Sequence, residues 1–375
     1  MKTKCVSPAV RNPALDIVRL IALFCVVSIH FFKYTGFYSI TVSGFRMYAA
    51  VLLRTGFLIC VPLFIVLSGY LLKNKKPTHS YYRKLVKTIA TYILASICCI
   101  AAKLSEVSSL RQLLVFLVQE TAGILEYATA PYAWYVEMYI GLFLMIPYLN
   151  ILYNNLEGQV ARRRLILTFL FLTAIPSVIN IYRFNPSWWL NPASTDDYYT
   201  ILPHWWTELY PITYYFIGAY LRDYPPKLTR TRNTILIFLV FFLNGTFNFY
   251  RSQGDVFVSG TWQEYNSLPV LIQTVLVFIL FTQRDYTWIP PKITNFLGLL
   301  SDLCFGAYLV SWIFDKLFYA TAGLSNADPL CRLEYYILIV PAVYICSLLL
   351  SALINVVYNS TVRLLLKISR KKALS

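Results

Sequence analysis

The chain has 375 residues, of which 58% are hydrophobic and only 13% are charged. Soluble globular domains are roughly half apolar and about a quarter charged, so this composition excludes an ordinary soluble protein and indicates a membrane protein. The apolar runs are continuous rather than alternating, which argues against a transmembrane β-barrel. The net charge of +16 therefore needs an explanation that fits a membrane protein.

The N-terminal segment has one feature of a signal peptide, because Lys2, Lys4 and Arg11 precede an apolar run. The run contains Arg19, continues to Lys33 and has no small-residue cleavage pattern. We therefore interpret it as a retained first membrane helix.

Apolar runs that approach the roughly 20 residues needed to cross a bilayer recur along the chain. They predict ten spans, at residues 14–32, 48–72, 85–102, 132–152, 164–181, 208–221, 233–250, 267–283, 294–317 and 335–358. The sixth is short and flanked by prolines. The segment 110–118 is too short to span, and we predict that it lies on the bilayer as an interfacial helix. The expected fold is an all-α, polytopic transmembrane helix bundle.

The basic residues predict the orientation of this bundle. With a cytoplasmic N-terminus, most of the 33 Lys and Arg residues fall in cytoplasmic segments, as the positive-inside rule requires. The pattern predicts an even number of spans and two cytoplasmic termini. It also accounts for the net charge through anionic lipid headgroups, without nucleic acid as a partner. The eight cysteines include no CxxC pair or metal-ligand spacing, so we expect no metal site.

Two basic side chains lie inside the first predicted span. Arg19 and His30 are eleven residues apart, close to three turns of about 3.6 residues, so they share one helix face and lie roughly 16 Å apart along the axis. Such residues usually face the protein interior and indicate function, because exposure to lipid costs about 2.5 kcal/mol or more. Structural roles stay open, with Arg19 paired to Asp16 or reaching the headgroups and His30 as an interfacial histidine.

The string "LDIVRLIALFCVVSIH" around these residues resembles the first helix of the acyltransferase 3 family of integral membrane O-acyltransferases. The signature of that family is a basic residue, ten intervening residues and a histidine. Three further strings are similar to the family along the chain: "VPLFIVLSGYLL" at 61–72, "WYVEMYIGLFLMIPYL" from Trp134 and "CFGAYLVS" at 304–311. The resemblance covers essentially the whole chain and implies one membrane-embedded acyltransferase domain over 1–375, with its core at 14–358 and no appended soluble domain.

Two departures from the family pattern bear on the site. Cys304 and Ser311 stand where the family often has a serine and a histidine, which excludes a second catalytic histidine in the ninth span. The Arg-x-x-Arg pattern at the third span is Lys84-Leu-Val-Lys87 here, with Arg83 adjacent. This change keeps the charge and loses the bidentate geometry of arginine.

The resemblance implies transfer of an acyl group, with acetyl as the leading candidate, from cytoplasmic acetyl-CoA to a hydroxyl of a surface or envelope carbohydrate. The acyl-CoA is a co-substrate, no bound cofactor is expected, and the location implied is the bacterial cytoplasmic (inner) membrane. A sugar hydroxyl needs a base within hydrogen-bond reach, and His30 suits that role. The candidate counter-charges for the phosphates of the donor are cations at the cytoplasmic ends of spans 1 and 3, namely Arg19, Arg83, Lys84 and Lys87.

The predicted depth of other polar residues in the membrane suggests partners for His30. Arg54 and Glu137 are predicted at about its level, so Glu137 could orient the imidazole, and Arg54 could stabilise the oxyanion or pair with Glu137. Asp302 and Asp315 are second-rank candidates in the ninth span. Ser68 has no assignable base, which argues against a nucleophilic serine. Small residues there could instead allow close helix approach. Three tryptophans could stack on an acceptor sugar or form an interface belt: Trp134, Trp188 and Trp189.

Two other functions stay open. A membrane transporter or a flippase for lipid-linked glycans would use the intramembrane Arg, His and Glu to line a pathway, but the two halves of the chain lack matching Gly/Pro breaks. A sensor or assembly partner would keep the fold without the chemistry. The acceptor hydroxyl, the acyl group, a covalent intermediate and the oligomeric state are not determined by the sequence.

Overall fold

The predicted all-α architecture is confirmed. A computed structural model describes residues 11–180, 199–321 and 333–372, and this part of the chain contains helices and no β-strand. The helices of more than ten residues are α1 (Pro13–Tyr34), α2 (Gly44–Phe57), α3 (Cys60–Leu72), α4 (Lys84–Lys103), α5 (Leu110–Leu125), α6 (Trp134–Asn154), α7 (Gly158–Thr173), α8 (Tyr210–Asp223), α9 (Arg230–Ser252), α10 (Leu268–Thr282), α11 (Pro291–Thr321) and α12 (Tyr336–Lys372).

Eight helical segments among the described residues are long and apolar enough to cross a membrane: α1, the α2–α3 pair, α4, α6, α9, α10, α11 and α12. The predicted fifth and sixth spans coincide with α7 and α8, which have only 16 and 14 residues. The total of ten spans and the cytoplasmic placement of both termini stay predictions.

The second predicted span is interrupted in its middle. Helix α2 ends at Phe57 and α3 begins at Cys60, with Pro62 in the first turn of α3. Proline has no N–H, so Pro62 cannot donate to the carbonyl of Leu58, and the regular ladder resumes with Leu63 donating to Ile59 at 3.0 Å. The break lets α2 and α3 pack against different helices, α9 and α8 respectively.

The predicted interfacial segment is a helix, and it is longer than the prediction. Helix α5 continues to Leu125, and its first turn is capped by Ser109, whose hydroxyl accepts from the backbone N–H of Gln112 at 3.3 Å. Leu110 and Val118 are exposed, as an element lying against lipid requires. Its position on the bilayer stays a prediction.

Helix α1 is central to the bundle. Asn12 caps it through a bond from the N–H of Ala14 at 3.0 Å, and Pro13 fits the first helical position, where no N–H is needed. The helix packs against α2, α3, α10, α11 and α12. The N-terminal half of α1, including Val18 and Ala22, belongs to one buried cluster, and the C-terminal half, including Phe31 and Phe32, belongs to another. Arg19 and His30 therefore lie at two levels of the protein interior.

Helices α3 and α8 cross closely, with Gly69 and Gly218 each facing the opposite backbone. A Cβ atom at Gly69 would collide with the carbonyl oxygen of Tyr215, and one at Gly218 with the carbonyl oxygen of Val66. The expected close approach at the Ser68-Gly69 pair is thus present at Gly69. Ser68 instead donates its hydroxyl hydrogen to Phe64 in its own helix at 2.8 Å.

We expect Gly69→Ala and Gly218→Ala each to destabilise the protein by about 1–3 kcal/mol, because the two backbones must separate to admit the methyl group. The measurement is thermal unfolding of the detergent-purified protein. Gly141→Ala on α6 is the matched control, since a Cβ there meets no other atom within 4 Å. Equal unfolding temperatures for all three variants would contradict the close crossing.

Candidate active site

His30 faces a buried carboxylate near the end of α1. Its Nδ1 atom lies 3.6 Å from Oδ2 of Asp315 on α11. The Asp315 side chain is fully buried, whereas 14% of the His30 side chain stays exposed. The Nδ1 atom itself is buried and has no hydrogen bond. The accessible part of the imidazole therefore lies away from Asp315, which leaves the other ring nitrogen as the atom that could meet a substrate.

Tyr132 fixes the position of both groups. Its ring stacks on the imidazole of His30, with centroids 3.7 Å apart and planes at 25°. Its hydroxyl donates to Oδ2 of Asp315 at 2.7 Å and lies 3.1 Å from the hydroxyl of Tyr34. Tyr308 on α11 donates its hydroxyl hydrogen to the backbone carbonyl of Tyr132. A base oriented in this way by a carboxylate can accept a proton from a hydroxyl group.

Arg54 and Glu137 make no hydrogen bond or ion pair with His30 or with each other in the described parts of the chain. Glu137 is exposed on the first turn of α6. Arg54 is buried, donates to Oε1 of Gln263 at 2.5 Å, and lies 4.8 Å from the ring centroid of Phe257. The carboxylate beside the imidazole is Asp315, in place of the expected Glu137. Two residues at the same depth in the membrane can face different sides of the bundle. The prediction that Arg54 and Glu137 are partners of His30 rested on depth alone.

A cavity of about 380 Å³, here named the donor cavity, lies among α1, α3, α4, α6, α11 and α12. Its predicted cytoplasmic end is lined by Arg19, Lys84 and Lys87, so the structure brings together three of the four predicted donor-binding cations. Arg83 is exposed and is not part of the lining. The side chains of Lys84 and Lys87 have no carboxylate partner in the described parts of the chain. Their charges are therefore available to an anion.

Arg19 is held by polar contacts at the edge of this cavity. It donates to the hydroxyl of Ser301 at 2.5 Å and lies 3.7 Å from Asp16, the pairing considered from the sequence. Arg11 binds Asp16 at 2.7 Å and Asp302 at 2.9 Å, and these two hydrogen bonds raise the pKa of Arg11. Asp302 is thus paired at the Arg19 end of α11, thirteen residues from Asp315, or roughly 20 Å along the helix.

The inner end of the donor cavity adjoins the His30 pair. Its lining there includes Val26, one turn before His30, together with Tyr135 and Tyr308. Tyr308 is bonded to the backbone of Tyr132, which stacks on the imidazole. The cavity therefore extends from the cationic end to within one side chain of His30.

A second cavity of about 300 Å³, here named the polar cavity, lies on the His30 side of the bundle. Its lining is rich in hydrogen-bonding groups: Thr173, Ser177, His204, Thr207, Glu208, Tyr210, Thr261, Glu264, Tyr265 and Asn266. The ring of Tyr265 stacks on Trp134 at 5.7 Å, and Trp134 in turn lies 6.2 Å from Tyr135 in the donor cavity. Aromatic rings thus separate the two cavities. Of the predicted acceptor-stacking residues, Trp134 lies at this boundary, and Trp188 and Trp189 fall outside the described residues.

Sequence reasoning underrated Asp315 and missed Tyr132 and the polar cavity. Both acids lie inside predicted spans, Glu137 in 132–152 and Asp315 in 294–317, so the cost of an acid in the membrane did not separate them. Asp315 follows Ser311 by one turn, and Ser311 occupies the position of the histidine of the family. No comparable signal marks Tyr132 among 30 tyrosines.

No group of three His, Cys, Asp or Glu side chains in the described ranges could hold a metal ion. The side chains at the site that can take part in chemistry are the imidazole, the carboxylate, the tyrosine hydroxyls and the cations of the donor cavity.

Comparison with known proteins assigns the family. A family model described as an acyltransferase domain matches residues 12–356, from α1 into α12. The matched range includes His30, Asp315 and both cavities. Comparisons with curated proteins and with solved structures give no match. The chain therefore belongs to the acyltransferase family that its first helix resembles, and it is a multi-pass membrane acyltransferase.

Proposed function

We propose that this protein transfers an acetyl group from cytoplasmic acetyl-CoA to a hydroxyl of a surface or envelope carbohydrate, with His30 as the general base. The observation that carries the proposal is the buried His30–Asp315 pair at 3.6 Å, beside the inner end of a cavity whose other end is cationic. A base, a place for a long anionic donor and a polar cavity for the acceptor are the parts that such a reaction needs.

The donor would lie along the donor cavity. Its phosphates meet Lys84, Lys87 and Arg19, while Arg83 adds positive charge outside the lining. The narrow thioester arm then reaches the level of Val26, next to His30. This placement uses the roughly 16 Å between Arg19 and His30 along α1.

The acceptor hydroxyl attacks the carbonyl carbon of the thioester while the exposed ring nitrogen of His30 takes its proton. The carbon–sulfur bond breaks, and the leaving thiolate receives that proton from the imidazolium, so the products are an acetyl ester and free coenzyme A. Asp315 takes the positioning role first assigned to Glu137, since its carboxylate faces Nδ1 at 3.6 Å and would stabilise the imidazolium. Arg54 has no role in this scheme because its guanidinium is bound to Gln263.

The acceptor would bind in the polar cavity. Hydroxyl, amide and carboxylate groups there match the many hydroxyls of a sugar, and Trp134 offers a ring face at the boundary with the donor cavity.

We expect His30→Gln to reduce acetyl transfer by about 10²–10⁴-fold, because the proton acceptor is lost. Asp315→Asn should give a smaller loss, because the base remains and only its orientation and charge stabilisation are weakened. The measurement is transfer of labelled acetyl from acetyl-CoA to envelope glycan in membranes that contain each variant.

Asp302→Asn is the control for this pair, since it removes an acid from the same helix at the opposite end and should leave the chemical step unchanged. Normal acetylated product from His30→Gln would rule out the proposed base. Glycan movement across the membrane without any acetylated product would instead favour the transporter alternative.

We expect Lys84→Gln/Lys87→Gln to raise the KM for acetyl-CoA by about tenfold or more, because charge-assisted contacts to phosphate contribute roughly 1.5–3 kcal/mol each. The kcat should change little, and the difference from wild type should shrink at high salt. Lys75→Gln/Lys76→Gln is the matched control, since these lysines lie on the same side and do not line the cavity. The same KM in both double variants would contradict the donor assignment.

We expect Trp134→Ala to raise the KM for the glycan acceptor by roughly three- to tenfold, because an aromatic stacking contact contributes about 0.5–1.5 kcal/mol. The KM for acetyl-CoA should stay close to wild type. Neither tryptophan lines the polar cavity itself. Trp205→Ala is the control because that side chain is 95% exposed, whereas Trp134 stacks on Tyr265 of the cavity lining. Equal acceptor kinetics for the two variants would place the acceptor elsewhere.

A further inference from the structure

A third cavity, named here the α9–α10 cavity, lies where α9 begins and α10 ends. It measures about 510 Å³ and shares no lining residue with the donor or polar cavity. Its lining combines cationic, polar and apolar side chains: Leu228, Arg230, Asn233, Ile279, Leu280, Gln283, Arg284, Asp285, Tyr286 and Trp288. The proposed acyl transfer leaves this cavity unused.

One side of the cavity suits a phosphate group. Arg230 is the first residue of α9, a 23-residue helix whose N-terminal N–H groups and dipole favour an anion. Arg230 and Arg284 are exposed and form no ion pair in the described ranges. Asp285 makes no ion pair with either arginine in the described ranges, and its two oxygens accept from the backbone N–H and hydroxyl of Thr287, both at 2.9 Å.

Two buried polar atoms in the lining lack hydrogen bonds to any residue that the structure describes. The side chain of Asn233 is almost fully buried, and its amide nitrogen donates to the carbonyl of Leu276 at 3.1 Å, but its Oδ1 atom has no partner. The hydroxyl of Tyr286 is also buried without a partner. Buried polar atoms are almost always paired, so both point to a bound molecule. Oδ1 of Asn233 requires a hydrogen-bond donor, and Tyr286 can donate to an anion.

The surroundings are those of the membrane boundary. Beyond its first turn, α9 presents exposed apolar side chains, among them Ile235, Phe238 and Leu239. Trp288 is 75% exposed beside the cavity, and tryptophan is enriched at the headgroup level of bilayers. A molecule bound here would thus place a polar end in the cavity and could lay a hydrocarbon chain along α9.

We propose that the α9–α10 cavity binds a membrane phospholipid whose headgroup carries an N–H or O–H donor, as ethanolamine and glycerol headgroups do. The phosphodiester lies between Arg230 and Arg284 and accepts from Tyr286, while the headgroup donates to Oδ1 of Asn233. A choline headgroup supplies the same phosphate and no donor, so it satisfies only half of the site. The bound lipid joins the start of α9 to the end of α10.

The test is native mass spectrometry of the delipidated, detergent-solubilised full chain with added phosphatidylethanolamine, phosphatidylglycerol or phosphatidylcholine of identical acyl chains. We expect the first two lipids to be retained several-fold better than phosphatidylcholine. Arg230→Gln/Arg284→Gln should lower retention of all three lipids by on the order of tenfold or more, as loss of charge-assisted bonds predicts. Asn233→Ala should remove the preference over phosphatidylcholine.

Lys227→Gln/Lys292→Gln is the matched control, because it removes the same charge from the same side without touching the cavity lining. Tyr286→Phe deletes one hydroxyl with little risk to folding and should lower lipid retention several-fold. This variant tests the site even if the Asn233→Ala variant unfolds. Equal retention in the two double variants, or no preference over phosphatidylcholine in the wild type, would overturn the proposal. Displacement of the lipid by equimolar glycerol 3-phosphate would show a free-phosphate site and overturn the lipid assignment.

Discussion

A fully buried carboxylate inside a bundle of apolar helices is costly unless neighbouring groups stabilise it, and at Asp315 this stabilisation reaches one oxygen, Oδ2, while Oδ1 has no hydrogen bond to a described residue. Tyr132 donates to Oδ2, and Nδ1 of His30 lies 3.6 Å from the same oxygen. The contacts around Asp315 require three parts of the chain to converge: the end of α1, the segment before α6 and the second half of α11. The same convergence buries Nδ1 of His30 and leaves the rest of the ring accessible. The stabilisation of one acid thus creates an oriented base.

Polar contacts also fix how α1 and α11 are aligned along their length. Near the N-terminal end of α11, Arg11 binds Asp302 and Arg19 binds Ser301. Near the C-terminal end of α11, Asp315 faces His30. Buried alanines, Ala22 and Ala307, are found on these helices between those levels. A slip of one helix past the other would break all three contacts together. The distance between Arg19 and the base is set by the rise along α1, and the pairing with α11 places Ser301 and Asp315 at the same two levels.

Much of this organisation could be predicted from the sequence. Long apolar runs gave the positions of most helices, and the three-turn spacing of Arg19 and His30 correctly placed them at two levels of one interior face. The break before α3 could also have been predicted, because Pro62 removes a helical hydrogen bond. What the sequence could not supply is the position of each residue around the bundle. Glu137 and Asp315 were both candidate acids near the level of His30, and only packing shows that Asp315 faces it. The cavities could not be predicted from the sequence either, because each combines residues from several helices that are distant in sequence.

The arrangement of the donor and polar cavities favours transfer of a small group over passage of a whole sugar. The donor cavity ends at Tyr135 and Tyr308, the polar cavity ends at Tyr265, and Trp134 contacts the rings of both Tyr135 and Tyr265. The ring of Trp134 lies 6.2 Å from that of Tyr135 and 5.7 Å from that of Tyr265, so these three aromatic side chains are in contact between the two cavities. A flippase would have to part this aromatic layer over the width of a sugar. An acyltransferase needs only the thioester carbonyl and one hydroxyl to meet at its edge, where Tyr132 holds His30. The aromatic layer then also limits the entry of water, which would compete with the sugar hydroxyl for the acyl group.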